Sequence, residues 1–228
     1  MRGARVLLGL SALVVPVLAA TPVAAAAPTV PAECAVPPDI DLTQFNVVIG
    51  SNGSEVLTGT DGPDFICGLL GNDVIYAKGG DDLVLGDTTT FFGNVGAAGG
   101  NDTVYAGAGA DEVLPGPGHD RVFGEDGDDF LALAVGDDYG NGGPGADGII
   151  GGFGRDVIEA GPGDDFAAGG FDADVLRGGP GDDFLAGELP PDAPPPPVPA
   201  PAPARDVCDG GTGTDTGTEC DVSTAIEA

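Results

Sequence analysis

The chain has 228 residues, with 42 Gly, 21 Pro, 4 Cys and no Trp, and a formal net charge of −30 at pH 7. That charge excludes nucleic acid and anionic membrane surfaces as partners and favours cations. Glycine is far above its usual ~7% without a collagen period, and the 42% apolar content exceeds that of an acidic disordered tail.

In chain order, the first element is a targeting segment. Arg2 and Arg5 precede an apolar run from Val6 to Ala20, and Ala24, Ala25 and Ala26 supply small residues for cleavage. This pattern predicts a signal peptide over residues 1–26 and a secreted, extracellular protein. The run is broken by Pro16 and is short for a membrane span. Residues 27–49 form an N-terminal cap segment. Cys34, Cys67, Cys208 and Cys220 suit an oxidising compartment and allow three pairings. Cys34–Cys67 and Cys208–Cys220 are favoured because each joins neighbours at one end of the chain. Zinc is disfavoured, since no CxxC pair occurs and the single histidine, His119, is remote.

Residues 50–189 repeat at nine. Acids stand at Glu55, Asp64, Asp73 and Asp82, and after an eleven-residue insertion within Thr88 to Ala98 at Asp102, Asp111, Asp120, Asp129, Asp138, Asp147, Asp156, Asp165, Asp174 and Asp183. Two residues before each acid is a glycine, replaced once by Asp172. Two residues after it is an apolar residue, from Leu57 to Leu185, with Gly140 the one gap. Glycine-dense hexamers ending in Asp make tight turns. The three residues that follow alternate out, in, out as a short strand, and such strands are stable only when stacked. Phe65, Phe130, Phe166 and Phe184 recur in even repeats, Val56, Val74, Val157 and Val175 in odd ones. Nine residues are therefore a half-coil and eighteen a full coil. The predicted fold is all-β, a parallel β-roll or β-solenoid of stacked nonapeptide half-coils.

Gly-Gly-Phe-Asp-Ala-Asp-Val-Leu-Arg, residues 169–177, and Gly-Gly-Pro-Gly-Asp-Asp-Phe-Leu-Ala, residues 178–186, resemble the nonapeptides of the haemolysin-type, or repeats-in-toxin (RTX), calcium-binding family. The resemblance implies multiple Ca²⁺ ions between stacked turns, held by backbone carbonyls and the sixth-position Asp of repeats n and n+2. The implied metal residues are Asp64, Asp73, Asp82, Asp102, Asp111, Asp120, Asp129, Asp138, Asp147, Asp156, Asp165, Asp174 and Asp183. Asp147 and Asp165 would share an ion on one edge, Asp156 and Asp174 on the other.

The electrostatics agree. Acids stacked ~5 Å apart repel by about 0.8 kcal/mol in bulk water and several-fold more at an effective dielectric near 20. Fifth-position acids (Asp81, Asp128, Asp137, Asp164, Asp182) are expected to add to this. Calcium accepts six to eight oxygens in flexible turns, so its binding is expected to drive folding. A weak half-site is expected at Glu55, and weak or bent turns where Leu133, Pro115 and Asp172 replace glycine.

Residues 190–203 are a proline-rich insertion, extended and polyproline-like. Around it a fifteenth repeat ends in Asp206 and a sixteenth in Asp215, within a C-terminal region of residues 204–228 made of terminal repeats and a cap. Both insertions are expected on the same edge of the solenoid. No G-x-S-x-G or HExxH motif occurs, and the acids read as a ladder open to solvent, so no enzyme is expected and His119 is read as an exposed turn residue. The sequence thus points to a secreted, monomeric calcium-binding protein with a structural or surface-associated role. The alternative is an adhesin or protein-interaction module using outward Phe130, Phe166 and Phe184 or the proline-rich loop. A metal-free solenoid, a disordered chain and an unrecognised hydrolase are weaker readings.

Overall fold

The computed structural model describes residues 30–34, 36, 40–87, 98–188, 205–218, 220 and 222–224. The segment predicted as a signal peptide, residues 1–26, the body of the first insertion and the proline-rich insertion lie outside the described residues.

Among the described residues two nine-stranded sheets run the length of the stack, and successive strands alternate between them. Sheet one begins with Asn46–Ile49 and ends with Thr216–Thr218; sheet two begins with Val56–Thr58 and ends with Val222–Thr224. Every pairing is parallel. The eighteen-residue register is direct: Phe65 pairs with Leu83, Phe166 with Phe184, and Val157 with Val175. Pairing of Val74 with Thr103, and of Phe184 with Thr216, carries the register across both insertions. Each insertion connects a sheet-one strand to a sheet-two strand, so both leave from the same edge as expected.

The chain folds this way because one residue per half-coil turns inward. Leu57, Ile66, Ile75, Val84, Val104, Val113, Val122, Leu131, Ile149, Ile158, Ala167, Leu176, Leu185 and Cys208 make a single narrow core. A three-residue strand alone exposes its backbone groups; stacked neighbours satisfy them and remove the inward side chain from water. Two departures from the repeat compensate each other. Gly140 contributes no side chain to the core, and Leu133, standing where a turn glycine is expected, fills that gap: a Cβ on Gly140 would lie 3.0 Å from Leu133 Cδ1.

The left-handed backbone of the turns explains their glycines. At the second place of the turn Gly143, Gly152, Gly161, Gly170 and Gly179 all have φ between 106° and 115° or slightly above, up to 118°. Leu69, Lys78, Glu125 and Ala134 take the same region without glycine, at a cost of about 1–2 kcal/mol each.

Both favoured disulfides are present, with Cα atoms 6.1 Å apart for Cys34–Cys67 and 5.9 Å for Cys208–Cys220, inside the normal range. They do different things. Cys208 belongs to the inner core, so its bridge seals the C-terminal end of the stack. Cys67 faces outward, and its bridge holds the N-terminal segment against the outer face of sheet one. Val30, Val36, Ile40, Leu42 and Phe45 pack there on Phe65, Leu83 and Leu85. Hence Phe65 is fully buried, whereas Phe166 and Phe184, in the same column further along, are each 37% exposed. The ladder also begins earlier than Gly50, because Asn46–Ile49 pairs in register with Asp64–Cys67.

Candidate metal centres along the turn edges

Each turn delivers its sixth residue to the start of the next strand. Asp64, Asp82, Asp111, Asp129, Asp147, Asp165 and Asp183 therefore line the edge that enters sheet one. Asp73, Asp102, Asp120, Asp138, Asp156 and Asp174 line the edge that enters sheet two. All thirteen are at most 3% exposed. The expectation of a ladder open to solvent is overturned, and the cause is a specific hydrogen bond. One carboxylate oxygen of each Asp except Asp64 accepts the backbone N–H of the acid one coil earlier, which draws the side chain under the turn. Asp138 Oδ1 accepts from Asp120 N at 2.7 Å, Asp165 from Asp147 at 2.8 Å, and Asp183 from Asp165 at 3.0 Å. The two rails run unbroken to Asp206 and Asp215, which accept from Asp174 and Asp183.

The second oxygen tells more. In twelve of the thirteen, all but Asp64, Oδ2 is buried and has no hydrogen-bond partner. Such an atom is costly unless protonated or paired with a cation. It is also not alone. Beside Gly68, Asp73 Oδ2 and the Gly86 carbonyl of the next coil both stand 2.5 Å from where a Cβ would lie. Asp147, Asp156, Asp174 and Asp183 meet next-coil carbonyls in the same way beside Gly142, Gly151, Gly169 and Gly178. Carboxylate and carbonyl oxygens thus converge at each such turn. Among the described residues no three carboxylates, imidazoles or thiolates form a metal-binding group. The donor set is one rich in carbonyl oxygen, which suits a hard cation of flexible coordination such as Ca²⁺.

Burial shifts the acids accordingly. Desolvation is the largest cause throughout, with neighbouring carboxylates adding to it and the accepted N–H opposing it. Asp138, between Asp120 and Asp156, is pushed up to about 9, and Asp120 and Asp174 to about 8. Asp102, Asp111, Asp147 and Asp156 rise to about 7, and Asp82, Asp129 and Asp165 to about 6. Asp73 and Asp183 move in the same direction.

The first turns differ. Asp64 Oδ1 accepts from Asn46 Nδ2, and its Oδ2 accepts from Thr60 N at 2.6 Å and Thr60 Oγ1 at 3.1 Å. Glu55 bonds the backbone and hydroxyl of Ser51. Protein donors there occupy the oxygens that stay free elsewhere. Sequence reasoning left three buried acids out of its site set. Asp206 and Asp215 carry the motif in the reconstructed repeats, so their signal was legible. Asp87, fully buried at the root of the first insertion, has no place in the motif.

Fifth-position residues form a second, outer ladder. Asp81, Asp128, Asp164 and Asp182 each accept a backbone N–H from the neighbouring coil, at 2.9–3.1 Å. They therefore bind coils together as well as adding repulsion. On the other edge the same bond is made by Asn72, Asn101, His119 and Asp137. His119 is an exposed turn residue, as expected, and its Nδ1 accepts from Asp137 N at 2.9 Å. Arg155 pairs with Asp137 at 2.7 Å, and the bonds to Arg155 hold the Asp137 carboxyl below its usual range.

Parallel sheets closed by aspartate turns define a β-roll. The RTX calcium-binding nonapeptide repeat family, in a model of four copies, matches residues 49–84, 97–122, 114–149, 141–175 and 159–189, more than half of the chain. The chain belongs to that family. Among curated proteins no match is found.

Proposed function

We propose that this chain is a secreted calcium-binding β-roll with a non-enzymatic structural or surface-associated role, in which the aspartate rails hold Ca²⁺ and binding drives folding. The observation carrying this reading is the row of buried, unpartnered Asp Oδ2 atoms, each set against a turn. Bound calcium would supply the positive charge that these oxygens lack. The binding residues are Asp73, Asp82, Asp102, Asp111, Asp120, Asp129, Asp138, Asp147, Asp156, Asp165, Asp174 and Asp183, with Asp64 a weaker candidate because its oxygens are already bonded. The hydrophobic run between Arg5 and Ala24, and two disulfides, support export to an oxidising compartment. The test is calorimetric titration of the calcium-stripped mature chain with Ca²⁺, followed by far-UV circular dichroism. Several ions bound with a coil-to-β transition are expected; no binding with β structure already present refutes the reading.

A second reading, an interaction module, draws on outward aromatic stacks. Phe166 and Phe184 lie 5.6 Å apart and parallel to within 3° on sheet one, and Tyr76, Tyr105 and Phe123 stack at 5.0–5.1 Å on sheet two. A pull-down from cell-surface extract that retains no partner counts against it.

A further inference from the structure

Asp87 is a buried acid that the repeat does not call for. It holds the second place of its turn, directly before residues 88–97, where most turns carry glycine or a residue without a carboxylate. Its backbone N–H donates to the Pro115 carbonyl at 2.8 Å, which keeps it in the stack. Its Oδ2 accepts the backbone N–H of Gly100 across the insertion at 2.8 Å, so one carboxylate closes the two roots of the inserted segment.

That closure does not need a charge. An asparagine oxygen would accept from Gly100 equally well, without the cost of a buried anion. The carboxylate also leaves Oδ1 buried and without a hydrogen-bond partner. The group stands in the field of Asp102 and Asp73, two acids of the rail on its own edge. Asp87 Oδ2 and the Pro117 carbonyl face the same space beside Gly99, so carbonyl oxygen is present here too. Glu188 holds the same second place before the proline-rich insertion, and Asp174 lies in its field. Both insertions on this edge therefore start from an acid outside the nonapeptide pattern.

We propose that Asp87, with Asp102 and the Pro117 carbonyl, binds a divalent cation at the root of the first insertion, a site additional to those of the repeat pattern. It rests on the reading that the rails bind calcium. In this arrangement ion binding fixes both ends of the insertion to the edge of the stack, so that occupancy of the rail is coupled to the geometry of the loop it carries.

The test uses the full mature chain with Ca²⁺ as probe, comparing Asp87→Asn, Asp87→Ala and the exposed-acid control Asp126→Asn. Ion count is read by native mass spectrometry, affinity by calorimetry and folding by circular dichroism. Asp87→Asn retains the acceptor for Gly100, so it carries the test if the alanine variant does not fold. The expected result is one ion fewer, or one site weakened about ten-fold or more, in both Asp87 variants, with the control unchanged. An ion lost from Asp87→Ala alone assigns Asp87 to loop closure and overturns the proposal. So do unchanged count and affinity in both. Failure of the unmodified chain to bind any Ca²⁺ overturns the proposed function first, and the site with it.

Discussion

Removing calcium should leave a roll that acid restores. The folded-state pKa values of Asp120, Asp138 and Asp174 lie at about 8, 9 and 8, against an ordinary 3.8. A group with a raised folded pKa binds more protons folded than unfolded, so its stability is present below the unfolded pKa and is lost as pH rises through the folded one. At pH 7.5 each of these three costs the metal-free fold about 5 kcal/mol, at 1.36 kcal/mol per unit. Together, with the repulsion between Asp120 and Asp138 shared between them, they are comparable with a domain's whole stability, about 5–15 kcal/mol. Lowering the pH to 5 recovers roughly 3 kcal/mol for each, on the order of 10 kcal/mol in all, while staying above the sequence pI of 4.1. The assay is far-UV circular dichroism of chain stripped on chelating resin, since soluble chelators weaken in acid. Disordered spectra at pH 7.5 and β spectra at pH 5 are expected. With calcium present the dependence reverses, because protons then compete for the same oxygens. Metal-free chain that is β-structured at pH 7.5 and unchanged at pH 5 would refute the argument.

Asp138→Asn keeps an acceptor for Asp120 N–H but removes the most strongly shifted charge, so the metal-free chain should tolerate more urea at pH 7.5 while calorimetry shows weaker calcium binding. Replacing Cys208 and Cys220 by serine opens a bridge of sequence separation 12 at the end of the core and should cost about 2–4 kcal/mol in urea denaturation at saturating calcium. Leu133→Ala should cost about 2–5 kcal/mol by emptying the space beside Gly140. Gly140→Ala should also destabilise, by crowding Leu133, yet the double variant should be more stable than the two costs added together, a coupling that a double-mutant cycle in urea reads directly.

Legibility in the sequence followed the period. A nine-residue repeat with one acid, one inward apolar residue and turn glycines fixes strand, turn and core at once, and the Phe and Val columns distinguish the two sheets. The rails followed from the same spacing, because residues eighteen apart must stack. What escaped depended on direction rather than spacing. Nothing in the string says that Asp Oδ1 turns inward to a backbone N–H one coil away, so acids that look solvated are buried. Likewise Leu133 and Gly140 read as two defects, and only their contact makes them one compensated pair. Asp87 escaped for a third reason: interrupting a repeat places a residue outside the register by which the others are recognised.

The two edges, alike in their buried rails, differ in what lies outside them. On the edge entering sheet one the outer ladder contains Asp81, Asp128, Asp164 and Asp182, and these carboxylates raise the pKa of their rail neighbours Asp82, Asp129, Asp165 and Asp183. On the other edge Asn72, Asn101 and His119 make the same backbone bonds without a carboxylate, and Asp137 is paired with Arg155. Extra negative charge near a cation site strengthens attraction for the ion and, without it, strengthens repulsion. Without calcium the first edge therefore carries the greater outer repulsion, while the second, from which both insertions leave, holds Asp120, Asp138 and Asp174, whose carboxyls burial pushes up furthest.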